Sequence, residues 1–348
     1  MLSKEQIIEV ESLPVDIQTG ATYAIKQANP NSYTHGMFKY PCKFIPEIPR
    51  WGINTYLSER GGVIFDPFSG SGTTLLEANV NGIDAYGTEI DDIAKLIIKV
   101  KTTVLGSRQL ELLEQYYLEI INIIAQDDAE VFIPTITNLE HWFSETTINQ
   151  LGRMKVYIEN IMDADIRDFF KLCMVSIIKR VSNADDTSPK PYVSNKIVKN
   201  PPTVEKEFAS VFRRYKQMMK ELSNIEKMGK TEIVQGNALN FSLSLGIDLA
   251  ITSPPYINAF DYGRTMRLEN LWLATLTEEM LREKKSMYVG TEKINTKKEK
   301  SELGILKKSA LLKTYYNAIV EQDEKRALIV KKFFEDMEEN LCCVYNHM

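Results

Sequence analysis

The chain has little histidine and little cysteine: three and four residues among 348. Two of the cysteines, Cys342 and Cys343, are neighbours, and no Cys-x-x-Cys pair occurs. That argues against a disulfide framework and against a zinc site. No stretch comes near the ~18 consecutive apolar residues that cross a bilayer, so no membrane-spanning segment is expected. The opening MLSKEQIIEVESLP lacks the basic-then-apolar order of a secretory signal. Internal repeats and low-complexity tracts are missing as well. With 44% hydrophobic and 26% charged residues, the composition argues against wholesale disorder. The expectation is a soluble protein of a reducing cytoplasm.

What is there is length and an uneven charge. At roughly 150 residues per domain, the chain suggests two domains, or one α/β domain with an insertion. Residues 151–230 carry sixteen Lys and Arg against ten Asp and Glu, a surplus of six in a chain of net charge −5. A basic block in an acidic chain is either a nucleic-acid footprint or a solvated helical face.

The clearest local pattern is GGVIFDPFSGSGTTLLEANVNG. Val63-Ile64-Phe65 reads as a short buried strand, residues 66–72 as a glycine-rich loop, and Thr73 as the start of a helix stopped at Gly82. IDAYGTEID then reads as a second strand ending near Glu89. Strand, loop, helix, strand is a βαβ unit and implies a parallel sheet. A helix is expected from about Pro49, with Trp51, Ile53, Tyr56 and Leu57 on its apolar side. Residues 107–228 break the rhythm with helical stretches at 108–126 and 145–181 and a proline-punctuated hinge, VSNADDTSPKPYVSN. Strands return at Ile233-Val234 and Leu249-Ala250-Ile251, and from 263 onward the chain reads as helical.

Two of these junctions carry chemistry. The loop Asp66-Pro67-Phe68-Ser-Gly70-Ser-Gly72-Thr73 joins a strand to a helix N-terminus, where backbone approaches a ligand closely. It lacks the Gly-Lys-Ser/Thr of a triphosphate loop and the third glycine of a dinucleotide fingerprint. Asp66 before the glycines suits a cationic ligand, and the α-ammonium of S-adenosylmethionine meets that requirement. A tight turn without a ligand is the plain alternative. Glu89, at the end of the next strand, is placed to accept both hydroxyls of a ribose.

The second junction is Thr252-Ser253-Pro254-Pro255-Tyr256. Adjacent prolines remove backbone donors and stiffen the turn, so that a carbonyl is a fixed acceptor. Ser253 adds a side-chain acceptor and Tyr256 a flat face. This set suits the exocyclic amine of a planar base: the acceptors take its hydrogens while the ring stacks. Held this way, a poorly nucleophilic amine exposes its lone pair, through orientation and electrostatics without a covalent intermediate.

Together the two segments resemble the cofactor loop and the catalytic motif of DNA amino-methyltransferases. In that family Ser at the first motif position usually marks cytosine-N4 enzymes, and Asp or Asn usually marks adenine-N6 enzymes. Lys39-Tyr-Pro-Cys-Lys43-Phe44-Ile-Pro46 resembles the segment over the methionine end of the cofactor. Gln235-Gly-Asn237-Ala resembles the strand-end motif that meets the adenine, where Asp is more usual than Asn237. The resemblance implies a Rossmann-like S-adenosylmethionine methyltransferase sheet. It implies cofactor contacts at Lys43, Phe44, Asp66, Pro67, Phe68, Gly70, Gly72, Thr73, Glu89 and Asn237. Catalysis is implied at Ser253, Pro254, Pro255 and Tyr256.

The expected activity is N4-methylation of cytosine in double-stranded DNA, the target base being flipped out of the duplex. A restriction–modification or related defence system is the expected setting, with a cognate restriction endonuclease as partner. The alternatives are adenine-N6 methylation and a non-catalytic DNA-binding remnant. Pro41-Cys42 matches the nucleophile dipeptide of cytosine-C5 enzymes, but it precedes the cofactor loop, and an amine acceptor needs no thiolate.

The expected organisation is a cofactor-binding part at 1–106, a helical insertion at 107–228 as target-recognition region, and a catalytic part at 229–348. Lys179, Arg180, Arg213, Arg214 and Lys216 are phosphate-contact candidates in the insertion. The family's sheet has about seven strands, and this sequence supplies four. The expectation is therefore a sheet without its C-terminal strands and with one apolar face uncovered: a truncated gene product, or one half of a split enzyme completed by a second polypeptide.

Overall fold

The computed structural model describes the chain except residues 1–6, 14–15, 27–28, 58–60, 195, 197 and 258–260. The first six residues of the leader reading, and three residues just after the proline motif, lie outside the described set.

β1 (Ile7–Val10) and β2 (Thr22–Ile25) form a small parallel pair. α1 (Glu47–Tyr56) then leads to β3 (Val63–Asp66), α2 (Thr73–Val80), β4 (Asp84–Gly87) and α3 (Asp92–Thr102). Five helices follow: α4 (Ser107–Ile124), α5 (Leu139–Trp142), α6 (Glu145–Glu159), α7 (Ala164–Val181) and α8 (Val204–Ser223). β5 (Thr231–Ile233), the hairpin β6 (Gly236–Asn237) and β7 (Asn240–Phe241), and β8 (Leu249–Ala250) return the chain to the sheet. The described remainder is helical: α9 (Tyr262–Thr265), α10 (Arg267–Leu273), α11 (Glu278–Lys284), a single 3₁₀ turn Lys285–Met287, α12 (Thr296–Ser301), α13 (Ile305–Lys308), α14 (Ala310–Val320) and α15 (Glu324–Tyr345). No helix among the described residues is long and apolar enough to cross a membrane.

The fold is mixed α/β around a parallel sheet, in the order β5-β4-β3-β8. Phe65 pairs with Tyr86 and with Ala250 in register, and Ala85 pairs with Thr231. Alternation along the strands sorts the side chains onto two faces. Ile64 and Ala85 face Ile53, Leu75, Ala78 and Ile98 of α1, α2 and α3. Phe65 and Tyr86 face Val234, Phe241, Ile247 and Val344.

That second cluster corrects the expectation of an uncovered apolar face: the last turn of α15 brings Val344 beneath the sheet. Leu328 and Val344 are buried, while Phe334 and Leu341 are exposed. β8 pairs with β3 alone, so that edge is open among the described residues.

The helices from α4 to α8 share one core with α3 and α10. Ile93, Ile97, Leu151, Phe169, Phe170, Phe208, Phe212, Tyr215 and Trp272 are all buried within it. Tyr117 stacks on Phe212 at 4.2 Å. Burying each such side chain favours folding by roughly 1.5–3 kcal/mol before entropy is counted. The stretch read as one helix over 145–181 is two. Asp163 turns its carboxylate onto Asp165 N and Ile166 N at 3.0 and 3.1 Å and starts a new helix.

Candidate active site

The site is built at the carboxyl ends of β3, β4 and β8. β3 delivers Asp66 into the buried interior, and the loop after it folds on itself. Ser69 Oγ donates to Asp66 O at 2.8 Å, and Gly72 N donates to Ser69 O at 2.7 Å. Gly70 and Gly72 hold φ of +50° and +71°, values that disfavour any side chain. At Gly72 a Cβ would also sit 2.8 Å from Ile98 Cγ1. Thr88 stitches the loop to β4, its hydroxyl donating to Pro67 O at 2.6 Å. From behind, the buried Lys101 ammonium donates to Ser71 O at 2.7 Å.

Two carboxylates face the site. Asp66 Oδ1 accepts from Thr252 Oγ1 at 2.6 Å and from Phe68 N at 3.0 Å. Burial raises its pKa to about 6, against the pull of those bonds. Glu89 Oε1 accepts from Ile90 N at 2.7 Å and Asp91 N at 2.8 Å. Burial, then the charge of Asp91, raises Glu89 to about 7.

These residues border two adjoining cavities. The larger, about 280 Å³, is lined by Pro67, Phe68, Gly70, Glu89, Asn237, Ser253, Pro255 and Tyr256 among others. The smaller, about 50 Å³, is lined by Lys43, Phe44, Asp66, Phe68, Gly70, Thr73, Ser253, Pro254 and Tyr256. The glycine loop and the proline motif thus border both cavities, although 180 residues separate them in sequence.

Three site candidates sit differently from the rest. Gly72 lines neither cavity; it turns the chain into α2 against Ile98. Lys43 lines the smaller cavity, but its ammonium donates to Pro30 O and His35 O at 2.9 and 2.6 Å, which ties down its own segment. Asn237 caps the β6–β7 turn, accepting from Leu239 N at 2.8 Å and Asn240 N at 3.1 Å. Cys42 borders the smaller cavity too, and burial pushes its thiol up, away from a reactive thiolate.

Sequence reasoning missed part of the wall. Tyr40, Asp261, Tyr262, Lys285, Tyr288 and Glu292 all line the larger cavity. Tyr40 stacks on Tyr262 at 5.9 Å, and Tyr262 lies 6.1 Å from Tyr288. Gly290 is the signal that could have been read: it holds φ +81°, and a Cβ there would sit 3.0 Å from Tyr256 O. The segment before α1 is anchored by a buried cluster, also missed. His35 Nε2 meets Glu77 Oε1 at 2.9 Å, and Arg50 Nε donates to Glu77 Oε2 at 2.9 Å. Burial lowers the His35 pKa to about 4.

The basic candidates of the helical region divide. Lys216 pairs with Glu114, Lys179 donates to Ser188 O, and Arg180 pairs with Asp186 at 2.7 Å. Arg213 and Arg214 are exposed.

Residues 2–99 match the family model described as DNA methylase. That stretch resembles the N4/N6 DNA methyltransferases. It is 26% identical over 337 residues to the Type II methyltransferase M.MvaI of Kocuria varians, covering 90% of this chain and 74% of that protein. Against M.BsoBI of Geobacillus stearothermophilus it is 28% identical over 322 residues, with 84% and 61% covered. The M.AvaI methyltransferase of a Nostoc species is 25% identical over 357 residues, with 89% and 71% covered. No solved structure matches.

Proposed function

We propose that this chain transfers a methyl group from S-adenosylmethionine to the N4 amine of cytosine in double-stranded DNA, as part of a restriction–modification system. The observation that carries the reading is the meeting of Asp66 and Thr252, which places an acidic glycine loop and a Ser-Pro-Pro-Tyr motif around one pair of cavities. Related proteins named as Type II methyltransferases support the setting.

The residues present fit the cofactor. Thr73 Oγ1 is buried, lines the smaller cavity and has no hydrogen-bond partner among the described residues. A buried hydroxyl left unmade costs free energy that a polar ligand would recover. Asp66 and Thr73 would hold the amino-acid end, Glu89 the ribose, and Phe68, Asn237 and Leu239 the adenine. When bound, the cofactor supplies an electrophilic methyl on a sulfonium.

The chain's own work is on the base. The Ser253 hydroxyl and the carbonyl held by Pro254 and Pro255 take the two amine hydrogens and turn the nitrogen lone pair outward. Tyr256, 59% exposed at the rim, offers its face for the ring to stack. Asp66 and Glu89 put two carboxyl groups in the cavity walls, which suits a cationic donor. The serine at the head of the motif favours cytosine over adenine. The test is methyl transfer from tritiated donor to duplex DNA, RNA and protein offered separately. Label in DNA alone supports the reading, and label confined to RNA or protein refutes it.

A further inference from the structure

The larger cavity holds one cation that is both sheltered and fixed. Lys190 and Arg264 line it too, but both are exposed. The Lys285 side chain is 29% exposed, and its ammonium lies 2.9 Å from Asp261 Oδ2 and 2.6 Å from Glu292 Oε1. Asp261 is itself anchored, its other oxygen accepting from Arg264 N at 3.0 Å as the cap of α9. Burial works against the lysine's charge, but the two carboxylates outweigh it and keep the ammonium protonated. The segment that follows the Lys285 turn meets the proline motif at Gly290, whose bare Cα lets it approach Tyr256 O.

An ammonium has three donors. Two are taken by Asp261 and Glu292, and no third partner occurs among the described residues. The remaining N–H belongs to a group in the wall of the cavity that Ser253, Pro255 and Tyr256 also line. Resting on the function proposed above, we propose that Lys285 is a specificity-determining residue that donates this hydrogen bond to the O2 carbonyl of the target cytosine. Cytosine presents a carbonyl acceptor on the side of its ring away from the reactive amine, and adenine has only C–H at its corresponding C2. A donor fixed at this position rewards the pyrimidine and gives the purine nothing. The two carboxylates hold the cation at that distant edge, away from the amine, where positive charge develops.

The test uses the full chain and duplexes that carry the mapped recognition site with cytosine or adenine at the target position. Wild type should prefer cytosine. In Lys285→Met, kcat/KM on cytosine should fall roughly 10- to 100-fold, the loss expected of a charge-assisted hydrogen bond. The adenine rate should stay put, so the preference collapses, and calorimetric affinity for S-adenosylmethionine should stay within about twofold. The ratio is measured within each variant, so a partly destabilised protein still reports it, and Lys285→Arg, which keeps a donor, should retain most of the preference. An equal fall on both bases, or a fall in donor affinity that matches the fall in turnover, would overturn the assignment. A wild-type chain that prefers adenine to cytosine would instead refute the cytosine reading itself.

Discussion

Thr252 Oγ1 donates a 2.6 Å hydrogen bond to Asp66 Oδ1, joining the end of β8 to the end of β3 across 186 residues of chain. The bond fixes the spacing between the loop proposed to hold the cofactor and the motif proposed to hold the base. It also gives a buried carboxylate one of its few partners. Thr252→Val keeps the shape and removes the donor. It should cost about 1–3 kcal/mol of stability, the usual effect of stranding a buried acceptor, and weaken S-adenosylmethionine binding as well. Thermal melting and calorimetry read the two effects, and Thr252→Ser should restore both.

Glu89 makes a prediction about pH. Its folded pKa is raised to about 7, against an ordinary value near 4.5. A raised acid favours the folded state most when protonated, so its contribution is full below pH ~4.5 and is lost as pH rises through ~7. Glu89→Gln stays neutral and keeps an oxygen for the Ile90 and Asp91 amides. The ligand-free variant should therefore gain on wild type by on the order of 2 kcal/mol between pH 4.5 and 8. Denaturant melts across that range test the sign, and a gap that shrinks with rising pH would contradict it.

The same residue separates binding from folding. Glu89→Ala should weaken S-adenosylmethionine by about 1–3 kcal/mol through the loss of the ribose acceptor. Unchanged affinity in a folded variant would remove Glu89 from the cofactor site.

Tyr256→Ala should leave cofactor affinity close to wild type and remove most of the methyl transfer. The proposed role of the exposed ring is to stack on the base, at about 1–3 kcal/mol for a stacked aromatic. Single-turnover assays against donor calorimetry make the comparison, and full activity would refute the role of the motif.

For DNA, the partners held by Lys179, Arg180 and Lys216 narrow the basic candidates to Arg213 and Arg214. Reversing both charges should weaken binding to any sequence and lower the slope of log affinity against log salt by about two, one per lost phosphate contact. An unchanged slope would place the DNA path elsewhere.

Much of the strand framework could be read because Val63-Ile64-Phe65 is an unbroken apolar run beside glycines that permit the loop, and local signals of that kind survive folding. β1 and β2 could not, since a four-residue parallel pair depends on its partner more than on its own pattern. The break between α6 and α7 was written in Asn160 and Asp163, but apolar periodicity on both sides hid it. The wall from Lys285 to Glu292 left almost no trace in sequence. Its residues are brought to the site by tertiary packing, and charged residues in a charged helical region look like solvated surface until Asp261 and Glu292 are seen around Lys285. Thr252 was likewise read as part of a strand end, because its acceptor lies in another strand.

The most direct test of the central claim is the identity of the modified nucleoside. Plasmid DNA incubated with the purified chain and S-adenosylmethionine is digested to nucleosides and analysed by mass spectrometry. The account predicts N4-methyldeoxycytidine as the new species, absent from the Tyr256→Ala control. N6-methyldeoxyadenosine in its place would contradict the reading of the Ser-Pro-Pro-Tyr motif, and DNA left unmodified would contradict the function as a whole.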